Sequence, residues 1–479
     1  MKKYKRVISQ FTFHDRTGIQ RYLENMALKG WMLDKITKWS WRFRRIEPKR
    51  IHFAVSYFAK TSSFEPEAPE ELLRFREFCQ YSGWTYCAEA AQMQIFYNEA
   101  ENPIPIETDA MLEIESIHKS IKKQLLPSYF ILTAVAVMNG WMRIAEAVEN
   151  PNIFFRSNLN LFTLLSMVCI LLMIAAELGS YFIWRTRALK RAELDGSFLP
   201  TRGNRGFALA LLYILVAVFV LLIVSEWNSM FGKVLLIVMG YYFALLLIVQ
   251  GASDIMKRKK VGAGTNLTVT IILSFVLAFA LIAVLSWTAA RLDSSGFFEE
   301  KDEEYVLAPD EEYIFDGRAY TVQHHALPLY AADFYDHEVP EDVYSNYHYV
   351  DRSILITHHD CGSRVRYDYD DTWPAVDYQL ISYFIDDFNS PLLRDFVLKS
   401  LLSRYEHQRY DGRYEFRTED PELWNADAVW QMYGTEYIGG KKNPMDSFIL
   451  VRGNRIVQLH LFEAPTQEQI SMIAEKLAP

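Results

Sequence analysis

Long apolar runs dominate the middle of the chain, with short polar gaps between them. They cover residues 128–148, 159–184, 206–225, 231–250 and 267–290. A helix needs roughly 20 such residues to cross a hydrocarbon core. Lipid offers no partner to backbone N–H and C=O groups, so each run is expected as a helix that satisfies its own hydrogen bonds. The first run is the most polar and carries Asn139, Arg143 and Glu146; an arginine near a span end can extend its head to the interface. The predicted block, 127–291, separates an N-terminal segment, 1–105, and a joining stretch, 106–126, from a C-terminal segment, 292–479.

The N-terminal segment alternates between helical and strand periods. After Thr17, read as a helix cap with Gln20 completing a capping box, Ile19, Tyr22, Leu23, Met26 and Ala27 fall on one helical face. A second helix starts near Pro69, with Leu72, Phe75 and Cys79 as its apolar stripe. The two helices end alike, at Gly30-Trp31 and Gly83-Trp84. Glycine suits the left-handed residue that closes a helix, and the tryptophan then covers the core where the chain reverses. Strands are expected at 4–13, 86–89 and 93–97, with 39–46 and 50–58 forming a hairpin around Glu47-Pro48-Lys49. The prediction is a small α+β domain, mainly an antiparallel sheet with two helices on one face. Trp39, Trp41 and Phe43 alternate with Lys38, Arg42 and Arg44, as in a sheet with one packed and one solvated face.

The run Tyr22-Leu23-Glu24-Asn25-Met26-Ala27, then Lys29-Gly30-Trp31-Met32-Leu33, an aromatic–basic strand pair and a second helix ending Gly83-Trp84, resembles the bacterial membrane-protein family that carries the domain of unknown function 2812. The resemblance covers about a fifth of the chain. It implies a bacterial, largely Gram-positive membrane protein whose gene often neighbours a PadR-type transcriptional regulator. It implies no catalytic residues, because none are assigned in that family.

In the joining stretch, Met111, Ile114, Ile117, Ile121 and Leu125 recur at helical steps, and Pro127 marks the start of the membrane block. On the C-terminal side, 292–312 reads as an acidic stalk and 313–479 as a second α+β domain. Its expected elements are a hairpin, 346–357 with 364–370, turning at Asp360-Cys361-Gly362, and helices at 375–388 and 391–405. Strands at 426–433, 447–451 and 456–462 follow, with a tight turn at Arg452-Gly453-Asn454-Arg455. A last helix is capped by Thr466 and Gln469.

Charge refines this outline. Of the chain's 479 residues, 1–124 hold 20 Lys and Arg against 16 Asp and Glu, 125–290 hold 13 against 7, and 291–479 hold 17 against 36. The gap after the second run holds Arg185, Arg187, Lys190, Arg191, Arg202 and Arg205, and the gap after the fourth holds Lys257, Arg258, Lys259 and Lys260. The excess of positive charge in these gaps predicts that they face the cytoplasm, with the N-terminus inside and the C-terminus outside. No concentrated basic face suggests nucleic-acid binding. Four cysteines, with Cys361 alone in the outer segment, provide no disulfide framework. The first 25 residues lack the apolar core of a signal peptide, so the first span is expected to direct targeting.

Chemical signatures are sparse. The sequence contains no H-E-x-x-H, G-x-S-x-G, P-loop or C-x-x-C motif. The histidine pairs His324-His325 and His358-His359 invite a metal reading, and His358 and His359, followed by Asp360 and Cys361, are the candidates. Neighbours on a strand point to opposite faces, so each pair gives a site at most one ligand, and surface histidines are the simpler reading. Asp368, Asp370 and Asp371 lack the glycine and terminal glutamate of a calcium loop. Glu177, two turns inside the second span, is a costly intramembrane charge for which a loop arginine is the simplest partner. Gly240-Tyr241-Tyr242 suggests close packing in the fourth span. The reading is therefore a multi-pass membrane protein, not an enzyme and without a cofactor, that works against the lipid bilayer. Its expected role is signalling or regulation through a cytoplasmic regulator. The alternative is an accessory subunit of a transport or envelope-assembly complex, docked on a membrane-protein partner.

Overall fold

The computed structural model describes residues 3–7, 11–37, 40–62, 64–90, 92–203, 205–227, 230–293, 304–315, 317–334, 344–365, 379–404, 414–435 and 442–478. The chain forms two compact units, Met1–Asn139 with Ser166–Glu299, and Gly140–Leu165 with Glu300–Pro479.

In the first unit, the N-terminal domain is one small motif built twice. The first copy is β1 (Tyr4–Val7), α1 (Arg16–Leu28), β2 (Trp31–Ile36) and β3 (Trp41–Arg45). The second is β4 (His52–Tyr57), α2 (Glu70–Tyr81), β5 (Thr85–Ala90) and β6 (Met93–Asn98). Each copy makes its own three-stranded antiparallel sheet, ordered β1-β3-β2 and β4-β6-β5. The expected single sheet and the hairpin around Pro48 are therefore corrected. β3 already pairs on both edges, with β1 and β2, and leaves β4 no edge to join.

The copies keep step over a spacing of 53 residues. Gly30 and Gly83 have φ of 77° and 82°, the left-handed conformation that glycine adopts without a Cβ penalty. Three residues after each glycine the ladder slips, between Leu33 and Lys35 and between Tyr86 and Ala88. Phe43 and Phe96, also 53 apart, are both buried on the central strands. Trp31 opens β2 under the cations of Lys5 and Arg45, whereas Trp84 precedes β5, is buried, and donates its indole N–H to Ile104 O. One further correction concerns α1. Its cap is Asp15, whose carboxylate accepts from Gly18 N; Thr17 lies inside the helix and its hydroxyl is engaged elsewhere. Trp39 and Lys38 lie outside the described residues, while Trp41 and Phe43 are buried and Arg44 is exposed.

The joining stretch and the first span are a single helix, α3 (Ala110–Glu149), 40 residues long with Pro127 inside it. Proline removes one N–H and crowds the preceding turn, yet the helix continues on both sides. Ile114, Ile117 and Ile121 of α3 are buried in the core of the N-terminal domain. There follow α4 (Pro151–Phe155), α5 (Asn158–Asp195), α6 (Arg205–Ser225), α7 (Met230–Arg258) and α8 (Ala263–Asp293). Among the described residues five helices, α3 and α5 to α8, are long and apolar enough to cross a membrane.

Polar groups within the spans are satisfied locally. Tyr129 donates to Glu177 Oε2 at 2.6 Å, so the partner of Glu177 is a tyrosine of α3 and not a loop arginine. Asn139 bonds the carbonyl of Val135, Arg143 pairs with Glu146, and Tyr241 reaches the carbonyl of Leu277 on α8. A Cβ on Gly240 would meet nothing within 4 Å, so this glycine is not a close-packing point within the chain.

The second unit contains a nine-stranded sheet. Its strands are β7 (Val306–Phe315), β8 (Arg318–His325), β9 (Tyr344–Arg352), β10 (Ile356–Val365), β11 (Gln379–Phe388), β12 (Tyr414–Glu419), β13 (Ala428–Thr435), β14 (Lys442–Arg452) and β15 (Arg455–Leu461). The order is β12-β13-β14-β15-β11-β10-β9-β8-β7, and among the described residues only the β8–β9 pairing is parallel. One face carries Cys361, Tyr383, Ile385 and Leu459 against α10 (Gln467–Lys476). The other carries Ile356, Phe388 and Ile456 against α9 (Pro391–Ser403) and Phe155 of α4.

Three expectations change here. The end of the acidic stalk is strand β7; 294–303 lie outside the described residues. Asp360-Cys361-Gly362 is mid-strand, paired with β11 on one side and β9 on the other; a Cβ at Gly362 would stand 2.6 Å from the Tyr347 ring, so the glycine makes room for an aromatic rather than a turn. The run read as a helix at 375–388 is strand β11 over its described part, with Ile381, Tyr383 and Ile385 alternating onto one face. The last helix does carry its Thr466–Gln469 capping box, and Gly453 turns with φ 56°. Asp368, Asp370 and Asp371 lie outside the described residues.

Candidate functional site

Each soluble domain is fastened to the helices by a buried polar joint. The first lies at the start of α1. The segment Thr12 to Thr17 is largely polar, yet it is buried at Thr12, His14, Asp15 and Arg16. Arg16 pairs with Glu113, one turn into α3, and stands 3.7 Å from Glu107. Glu107 in turn accepts from Ser56 at 2.6 Å. From the other side comes the segment between α5 and α6. Thr17 N donates to Thr201 Oγ1 at 2.8 Å and Thr201 N donates to Thr17 Oγ1 at 3.1 Å, a reciprocal pair. Thr201 Oγ1 also reaches the Asp15 carboxylate at 3.4 Å.

The ring of His14 lies against Tyr181 and Trp184 of α5, with centroids 5.5 and 6.2 Å away. Burial pushes the His14 imidazole down to about 4, so it is neutral near pH 7. Burial also draws the Arg16 guanidinium below its usual range, an effect opposed by Glu107. Tyr57, whose hydroxyl donates to Phe13 O, is raised by burial. Two buried ions exact a large desolvation penalty unless paired. The joint supplies that pairing from two separate stretches of chain, α1 and α3.

The second joint lies in the turn between α3 and α5. His358 and Asp386 are direct cross-strand partners on β10 and β11, and His358 Nδ1 is 2.7 Å from Asp386 Oδ1. Asp386 has no exposed surface. Asn152 donates to its second oxygen at 3.2 Å, and Arg156 approaches at 3.5 Å. The turn is held at its margins too: Ser353 Oγ donates to Phe155 O at 2.6 Å and Ile354 N to Asn158 Oδ1 at 3.0 Å. Burial lowers Arg156 and raises Asp360, the next carboxylate on that face of β10.

His359, on the other face of β10, joins a different group. His348 Nδ1 is 2.8 Å from Ala326 O, and a carbonyl only accepts, so that nitrogen carries the proton. His348 Nε2 and His359 Nδ1 are hydrogen-bonded at 2.9 Å. His325 Nδ1 accepts from His348 N at 3.0 Å. Burial and the neighbouring His348 push His359 down to about 4. The reading of surface histidines is corrected: His325, His348 and His358 are buried. His358 and His359 occupy separate environments, and among the described residues no group of three His, Cys, Asp or Glu is placed to hold a metal ion. Cys361 is buried in the core, which pushes its thiol up to about 12.

Sequence reasoning singled out Gly30, Trp31, Gly83, Trp84, Glu177, His358 and His359, and of these only His358 belongs to a joint. Asp15, Arg16, Thr201, Asn152, Arg156 and Asp386 were missed. For Asp386 a signal existed, since two aspartates interrupt the apolar run Ile381 to Phe388.

Residues 15–130 match the family model described as a protein of unknown function, DUF2812. The match begins at Asp15, takes in both copies of the helix–Gly–Trp motif, and continues through Glu113 to Phe130 of α3. The DUF2812 stretch therefore holds the cationic half of the first joint together with its acidic partners, while Thr201 and the second joint lie outside it. The comparison with curated proteins gave no match, nor did that with solved structures.

Proposed function

We propose that this multi-pass membrane protein is a signalling or regulatory device, in which the C-terminal domain faces the exterior and meets a ligand, envelope component or partner protein. The DUF2812 domain faces the cytoplasm and passes the change to a cytoplasmic regulator. The observation that carries the reading is α3. It starts inside the core of the DUF2812 domain through Ile114, Ile117 and Ile121, and it ends at Glu149, three residues before Asn152 grips Asp386. One helix thus leads from one buried joint to the other. The absence of catalytic motifs in the sequence agrees with a role in binding and transmission rather than in turnover.

Two experiments test this. Reporter fusions after Leu126, Lys190 and Lys260 should give cytoplasmic activity, and fusions after Ser295 and at Pro479 should report the exterior; a cytoplasmic Pro479 rejects the orientation. Hydrogen exchange of the whole protein in nanodiscs should then show that Asp386→Asn alters protection in 110–126 and in α1. Unchanged exchange there, with altered exchange in β10 and β11, rejects transmission along α3. Co-purification of a transporter as the main partner, instead of a soluble regulator, would favour the accessory-subunit reading.

A further inference from the structure

We propose that the C-terminal end of α5 carries a binding site for a single anionic glycerophospholipid. An open cavity of about 620 Å³ lies between α5 and the segment that follows it. Its floor is made of small α5 residues, Ala175, Ala176 and Gly179, with Ile183 beyond them. Leu199, Pro200 and Arg202 of the following segment also line it, and Arg187 stands on the same face of α5 about three turns beyond Ala176. The lining thus combines an apolar stretch of α5 with two arginines. The assignment depends on the bilayer setting of α5 and not on the signalling reading.

Three features fit a lipid. From Ala175 to Arg187 the groove follows 12 residues of helix, roughly 18 Å at ~1.5 Å per residue. Half of a ~30 Å hydrocarbon core is about 15 Å, so an acyl chain along the floor leaves its phosphate at the arginines. Trp184 donates its indole N–H to Leu199 O at 3.0 Å, which holds Leu199 beside the groove that Arg187 and Arg202 both line. Among the described residues neither arginine has an acidic partner, so the positive charge at this mouth is available to a phosphate. Guanidinium groups bind phosphate through paired N–H donors, and basic pockets at helix ends are a recurring form of anionic-lipid recognition. A span from a second copy of the chain would also fit small residues, but it would bring no anion to the two arginines.

The test uses the full chain, purified in detergent and studied by native mass spectrometry. Phosphatidylglycerol and phosphatidylcholine of equal chain length are added in turn. Expected is one tightly retained phosphatidylglycerol, preferred at least tenfold over phosphatidylcholine. The double variant Arg187→Gln/Arg202→Gln should reduce that preference to within about twofold. Gly179→Leu is the second variant: a Cβ there meets nothing within 4 Å and Gly179 lines the cavity, so the added side chain takes up space in the groove and should abolish retention of either lipid. Equal binding of the two lipids, or unchanged retention in Gly179→Leu, overturns the proposal. So does displacement by millimolar inorganic phosphate, which would identify a free anion site. Loss of a dimer in Gly179→Leu would overturn it in favour of a helix from a second copy.

Discussion

The two joints bury opposite charges. The DUF2812 joint encloses a cation, Arg16, between carboxylates of its own stretch of chain, and is completed by hydroxyl and backbone groups from the α5–α6 segment. The second joint encloses an anion, Asp386, whose partners are a histidine of its own sheet and an asparagine and arginine from the turn between α3 and α5. Guanidinium stays charged at any pH a folded protein survives, so the first joint depends on geometry. In the second, the carboxylate is held through hydrogen bonds to a ring nitrogen and a side-chain amide, with the arginine 3.5 Å away. The first joint thus rests on a close ion pair and the second mainly on hydrogen bonds.

Arg16→Met should have the largest effect. It removes the cation and leaves Glu113 buried without its partner, a change of ~3–5 kcal/mol for pairs of this kind. Thermal melting of the full chain and hydrogen exchange in α1 and α3 would register it. A loss below about 1 kcal/mol would mean that Arg16 is solvated in the native protein. The joints would then no longer differ in kind.

Acid should come next, and it separates the domains. His14 titrates at 6.5 when exposed and at about 4 in the fold, because burial penalises its charged form. Between those values the unfolded chain binds more protons than the folded one, so stability falls as pH drops from 6.5 towards about 4. The upper limit is ~3.4 kcal/mol, from a drop of about 2.5 units at about 1.36 kcal/mol per unit. His14→Leu should flatten this dependence in α1 and α3 while β10 keeps its own, smaller one from the partly exposed His359. Equal flattening in both domains would show that the two are not independent units.

Asp386→Asn should cost ~1–3 kcal/mol, less than the Arg16 variant. The amide keeps the shape and an oxygen for one bond. Exchange should rise in β10, β11 and the 150–158 turn. An effect as large as that of Arg16→Met would make both joints rigid ion pairs and remove the contrast between them.

Much of this architecture was legible beforehand because it depends on local period. The five spans, the face of α3 at Ile114, Ile117 and Ile121, the Gly–Trp joints and the Thr466 cap all rest on residues close in sequence. What escaped depends on residues far apart. Nothing near Thr201 indicates that it will meet Thr17, 184 positions away, and nothing near Asn152 indicates Asp386. The misread strand β11 had a different cause. Its run of apolar residues suits a buried helix or a buried strand, and flanking turn signals were the available guide. Gly362 misled for a third reason, since a glycine demanded by a neighbouring ring looks the same in sequence as one demanded by a turn.

The smallest predicted effect compares the two copies within the DUF2812 domain. The position 53 residues after Arg16 is Pro69, so the second copy lacks the joint, and α2 starts without a side-chain cap. The glycines should reflect this. Both have positive φ, so alanine at either should cost ~1 kcal/mol through backbone strain. At Gly30 the new Cβ would also stand 2.9 Å from the backbone carbonyl of Ile46, which has little room to yield. At Gly83 the nearest atom is the Asn98 side-chain nitrogen at 3.2 Å, which can rotate away. Gly30→Ala should therefore lower the melting temperature of the full chain more than Gly83→Ala does. Equal shifts would mean that strain at the helix end accounts for the whole effect and that the copy bearing the joint is no more tightly built than its partner.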